Sequence, residues 1–181
     1  CKYEGGEVCG GILNFTTPSA TKVDYNGYSY KTIFINGKEY FAENLGTDKY
    51  NDGTTIPYLP DSEDWGMTTE GAYSYNEKHS DFEEKYGKFY NGYAVNTGKL
   101  CPEGWRCLNE TDFSTFNNSD ALRSTECTWG YGDITATNST GFSAIPAGFR
   151  HPGDGYEDIG MFAVFWQFNP SATGEKRTVV I

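Results

Sequence analysis

The stretch GKLCPEGWRCLNETDFSTF, residues 98–116, decides how this chain is read. Two cysteines stand six positions apart around a Cys-Pro-Glu-Gly-Trp turn, and a helix start follows at once. Asn109 ahead of Glu110, Thr111 and Asp112 reads as an N-cap with acids in the first turn. Phe113 and Phe116 then share one helix face, so a short helix is predicted over about 110–117. A zinc clip would need two tightly spaced cysteine pairs and nearby histidines. Here the spacing is C-x5-C and the histidines are His79 and His151. With no CxxC redox pair either, the segment reads as a disulfide-stapled corner of a scaffold with Trp105 in its core.

Outward from that corner, the bulk composition agrees. The 181 residues suggest one domain with room for a core. A net charge of −11 argues against nucleic acid or an anionic membrane surface as partner. Glycine (22) and the aromatics (12 Phe, 14 Tyr, 4 Trp) point to a turn-rich, strand-containing, extracytoplasmic domain. The longest aromatic-apolar run, MFAVFWQF at 161–168, is far below the roughly 20 residues that span a bilayer. Cys1 suits the lipid-modified first residue of a mature bacterial lipoprotein, with CKYEGG as a tether. The other four cysteines, Cys9, Cys101, Cys107 and Cys127, allow three pairings into two disulfides.

Residues 1–22 read as a flexible tail and 23–181 as the domain. YKTIFINGKEYFAENL, residues 30–45, predicts a β-hairpin on a type I′ Asn36-Gly37 turn. Residues 50–65 read as loop, GAYSYN at 71–76 as a short strand, and 88–95 as a helical stretch weakened by Gly87 and Gly92. After Cys127 the pattern is β-like again, through GFSAIPAGFR, MFAVFWQF and KRTVVI.

These blocks resemble a known family. GKFYNGYAVNTGKLCPEGWRCLNETDF is similar to the core motif of the Fibrobacter succinogenes major paralogous domain, common in surface proteins of Bacteroidota and Fibrobacter. FINGKEYFAENL, TIPYLPDSEDW with GAYSYN, and GFSAIPAGFRHPGDGYEDIG resemble its other blocks in order, over about 23–168. The resemblance implies an α+β, C-type-lectin-like fold: short antiparallel strands, one or two short helices and long loops. It also implies kinship with the formylglycine-generating enzyme group. There a proline-containing segment opens the helix; here Cys107 and Leu108 depart from it, and Phe113 replaces the usual Trp. The family often ends on a strand whose cysteine would pair with Cys101, and this chain ends GEKRTVVI. That departure directs Cys101 to Cys9 and leaves Cys107 to Cys127.

The functional expectation is a non-catalytic recognition or assembly module. No cysteine follows Cys127, so the late cysteine pair of the oxidases is missing, and neither G-x-S-x-G nor H-E-x-x-H occurs. The expected role is accessory subunit of an outer-membrane protein complex, lipid-anchored at the cell surface through Cys1. A carbohydrate-binding or adhesin domain acting alone is the alternative. Tyr156, Trp166, Gln167, Phe168 and Asn169 are the candidate ligand or partner surface, since aromatics beside polar groups form good platforms. Alternation along MFAVFWQF gives bulky groups on both faces, which predicts burial on both sides. No cofactor is expected; Asp154, Glu157 and Asp158 are weak calcium candidates that lack the EF-hand pattern.

Overall fold

The computed structural model describes residues 2–3, 21–77, 82–116, 118–130, 135–153, 155–168 and 177–180. Its centre is a five-stranded sheet built on the predicted hairpin. Strand β3 (Tyr28–Ile35) turns through Asn36 and Gly37 into β4 (Lys38–Phe41). Both turn residues have positive φ, 51° and 75°, as the type I′ geometry requires. The strand β2 (Lys22–Tyr25) pairs on the other side of β3, and β1 (Lys2–Tyr3) sits between β4 and β7 (Trp105–Arg106). The expected tail over 1–22 therefore contributes a strand: Lys2 pairs with both Tyr40 and Arg106, filling a sheet position that would otherwise leave two strand edges open.

Side-chain alternation explains why this sheet is buried on both faces. Ile33, Ile35 and Tyr40 face one cluster, with Leu108, Leu122, Trp129 and Phe142. Tyr25, Tyr30 and Phe41 face another, where Trp105 packs 4.6 Å from Phe41. A third cluster gathers Tyr50, Ile56, Tyr90, Val95 and Leu100. Strand β10 (Val164–Gln167) runs between two of them: Phe165 packs on the first cluster and Trp166 on the third. Its neighbouring residues serve different cores, which accounts for bulky groups on both faces. It pairs with β11 (Arg177–Val180).

The opening segment folds as a capped corner. Helix α4 (Glu110–Thr115) starts at Asn109, whose side chain accepts the Asp112 N–H at 3.1 Å, while Asp112 accepts the Asn109 N–H at 3.0 Å. Asp112 is fully buried and takes a two-pronged contact from Arg106, at 2.6 and 3.2 Å, with Lys38 Nζ at 3.8 Å. One carboxylate thus ties β4, β7 and α4 together. Phe113 and Phe116 meet edge-on at 5.8 Å and pack against the first cluster.

Three expectations are corrected. The stretch 88–95 is not one helix: β6 (Phe89–Tyr90) pairs with β5 (Tyr73–Ser74), and α3 (Gly92–Asn96) begins only after Asn91. Asn91 is the reason, since its Oδ1 accepts the Ala94 N–H at 2.9 Å and the Ala72 N–H at 3.1 Å. The loop expected over 50–65 holds the start of helix α1 (Ser62–Met67), capped by Asp61 and anchored by buried Trp65. Cys107 and Cys127 are free thiols and do not bridge each other. They belong to different neighbourhoods: Cys107 packs against the third cluster, 3.6 Å from Cys101 Sγ, while Cys127 follows the turn at Ser124 near Trp129. That 3.6 Å separation also exceeds a disulfide's 2.05 Å or so, so Cys101 and Cys107 are in contact without a bond. Cys1 and Cys9 lie outside the described residues.

Candidate functional site

The described aromatic residues singled out from sequence are half-buried and bonded to the core. Tyr156, on β9 (Gly155–Glu157), is half-buried; its hydroxyl bonds the Ser74 hydroxyl and the Tyr75 carbonyl, and the Arg150 guanidinium lies 4.4 Å over its ring. Trp166 donates Nε1–H to the Tyr90 carbonyl at 2.7 Å, and Phe168 donates its backbone N–H to Leu108 at 2.8 Å. Gln167 is half-buried at the end of the β10–β11 pairing, opposite Arg177. Asn169 lies outside the described residues. The Tyr156 and Trp166 side chains and the Phe168 backbone thus bond to the core, while all four described residues stay partly exposed.

The calcium candidates sit on a turn. Asp158 has φ 56° and its carbonyl accepts N–H groups from Met161 and Phe162, at 2.9 and 3.2 Å. Glu157 faces His151 at 3.9 Å, and Asp154 lies outside the described residues. Among the described residues no three His, Cys, Asp or Glu side chains converge as a metal-holding group.

The concave feature is elsewhere. An open groove of about 820 Å³ runs beside β3. Its floor is formed by Ser29, Lys31 and Ile33, with the Ala42–Asn44 segment that leaves β4. One wall is the end of α2 (Phe82–Tyr86), with Glu83, Glu84 and Lys85. The other is formed by Ser124, Glu126, Asn138 and Ser143. Tyr28, among the most exposed large aromatic residues described, stands at the rim.

Local chemistry holds each wall. Asn44 donates to the Tyr86 carbonyl at 2.9 Å, and the Lys88 N–H donates to Leu45 at 3.1 Å. Gly87 sits between them at φ 74°, where an added Cβ would lie 2.9 Å from the Leu45 carbonyl. Only glycine fits that close approach without strain. On the far wall Asn138 and Ser143 exchange two hydrogen bonds, both 2.9 Å, and Ala144 and Ser124 clamp the segment to Leu122 through backbone bonds of 2.8 Å.

Lys88 links the near wall to the sheet. Its side chain is only 3% exposed, with Nζ 3.1 Å from Glu83 and donating to the Tyr28 hydroxyl at 3.2 Å. It also lies 4.5 Å over the Tyr73 ring, so the desolvated ammonium is met by a carboxylate, a hydroxyl and a π face. Burial alone would lower its pKa; the bonds to Glu83 and Tyr28 outweigh burial and hold it above its ordinary value. In the floor, Tyr30 accepts the Gly46 N–H at 3.0 Å, and burial pushes its phenol far above the usual range. Glu43 accepts the Lys31 N–H at 2.9 Å, with Lys31 Nζ at 3.9 Å. Sequence reasoning passed over these residues because they come from four separate segments. The one local signal is the alternation of Ser29, Lys31 and Ile33 on one face of the hairpin strand.

Comparison with family models identifies what the folded blocks belong to. The model described as the Fibrobacter succinogenes major domain matches residues 33–181, so the chain belongs to that family. Comparison with curated proteins and with solved structures finds no match. No described helix is long and apolar enough to cross a membrane.

Proposed function

We propose that this member of the Fibrobacter succinogenes major domain family is a non-catalytic recognition module, an accessory subunit that docks a partner protein of an outer-membrane complex in the β3 groove. The groove itself carries the reading. It is open, with polar and apolar surface in near-equal share, and its walls are fixed by side-chain bonds rather than by loose loop packing. Its carboxylates Glu43 and Glu83 are each engaged by a lysine, an arrangement that shapes a surface rather than poising a proton. A small, closed, aromatic-lined pocket would favour a sugar; the open form supports a polypeptide. The C-type-lectin-like relation is part of the same proposal, supported by short antiparallel strands, short helices and long connecting loops. So are the surface address and a lipid on Cys1.

The test is purification from the native membrane in gentle detergent, followed by sizing and mass spectrometry. Ser29→Trp fills the groove from an exposed floor position, and Thr69→Trp is the matched change outside it. The proposal requires a stoichiometric membrane-protein partner retained by the wild type and by Thr69→Trp but lost by Ser29→Trp. A lone monomer in all three contradicts it. In the same spectra, an unmodified Cys1 contradicts the anchoring.

A further inference from the structure

The charges of the groove specify more than its shape. Its two lining cations each have a partner on the protein: Lys31 meets Glu43 at 3.9 Å, and Lys85 lies 5.0 Å over the Tyr86 ring. Two of its carboxylates are committed as well, Glu43 to Lys31 and Glu83 to Lys88. Glu84 on the near wall and Glu126 on the far wall are exposed, and their carboxylates form no such pair among the described residues. An uncommitted negative charge therefore stands on each side of the floor, while the Tyr28 ring at the rim is already engaged, by Lys88 Nζ at 5.4 Å and by Tyr30 stacked at 6.0 Å.

We infer that the groove's occupant is a lysine- or arginine-bearing polypeptide segment of a partner protein, lying along the β3 floor with a cation reaching each wall. This rests on the recognition reading above and adds its chemistry. A second copy of the chain is disfavoured, because each copy carries a net charge of −11 and the approach of two would be repulsive. Charge complementarity of this kind sets partner choice and encounter rate more than raw affinity, and it weakens with salt.

The experiment uses the full chain, with capped octalysine as the cationic probe and a neutral hexasaccharide as the uncharged one, measured by calorimetry at low and high salt. Glu84→Gln with Glu126→Gln removes the two wall charges. Glu70→Gln with Glu103→Gln removes the same charge from exposed positions outside the groove. All variants keep the circular dichroism of the wild type if folded. The inference requires octalysine binding that falls at least tenfold in the wall variant, less than twofold in the outside variant, and steeply with salt. Equal loss in both variants, or no octalysine binding, overturns it. Hexasaccharide binding that is salt-independent and lost in Ser29→Trp also overturns it, and would replace the polypeptide with a glycan while keeping the groove as the site. If the native partner stays bound to Ser29→Trp, the groove reading itself falls, whatever the probes do.

Discussion

Replacing Asp112 by Asn tests the corner that positions the whole sheet. Asp112 is fully buried and accepts from both Arg106 nitrogens, at 2.6 and 3.2 Å, and from the Asn109 N–H at 3.0 Å. The amide keeps the shape but removes the charge, and its NH2 end can only face donors. Arg106 is left with its positive charge in a largely buried position, its side chain 22% exposed. Breaking one partner of a buried pair costs about 3–5 kcal/mol. For a chain of this size each kcal/mol moves Tm by roughly 2–4 °C, so the melt should fall by about 6–20 °C. Urea unfolding should show an earlier midpoint with an unchanged slope, the mark of lost stability rather than altered compactness. Replacing both partners together, Arg106→Met with Asp112→Leu, should recover most of the loss, because a buried pair can be exchanged for apolar groups at little net cost. A loss below about 1 kcal/mol for Asp112→Asn would refute the reasoning, since it would mean that the carboxylate is solvated or that Arg106 finds another acceptor.

Three further outcomes follow from other parts of the structure. Burial raises the Tyr25 phenol to about 12, so the fold favours its neutral form; that stability is complete below pH 10 or so and is lost as pH rises towards 12. Alkaline titration followed by phenolate absorbance should therefore show delayed ionisation that ends with unfolding, and independent ionisation near pH 10 would contradict it. At Gly148, φ is 71° and an added Cβ would lie 2.0 Å from the Glu157 carbonyl, so Gly148→Ala should destabilise by at least about 2 kcal/mol in chemical denaturation; a neutral effect would mean that the 148–157 strand pair is placed differently. Cys107 and Cys127 should both alkylate without reductant once the chain is unfolded, and in the native state Cys107 should react slowly because burial raises its thiol pKa; protection of both thiols after unfolding would restore the bridge between them.

Much of the scaffold was legible where a signal is local. The Asn36-Gly37 turn specifies its hairpin because both residues tolerate positive φ, and Asn109 with Asp112 specifies the start of α4 because cap and acid are three residues apart. The helix at Ser62–Met67 is hidden although Asp61, Glu63 and Asp64 carry the same kind of signal, because the prolines at 57 and 60 favour a loop. Asn91 ended the helical reading of 88–95 by capping a later helix, a choice settled by its second bond, to Ala72, which no window of sequence contains. The Cys107–Cys127 bridge fails for the same reason: nothing local to either cysteine says that one sulfur faces a core cluster and the other a turn near Trp129. The site was least legible. Tyr28, Glu43, Glu83 and Ser143 are far apart in the chain, and the aromatic strand that drew attention instead, Val164–Gln167, is held between two clusters.

The groove's role is tested most directly by photo-crosslinking in the native membrane. A benzophenone amino acid placed at Ser29, on the groove floor, is compared with one at Thr69, outside it. One dominant adduct is expected from Ser29, a polypeptide of defined mass, and none of that mass from Thr69. Adducts of the same partner from Thr69 alone, with none from Ser29, would place the recognition surface elsewhere and contradict the account.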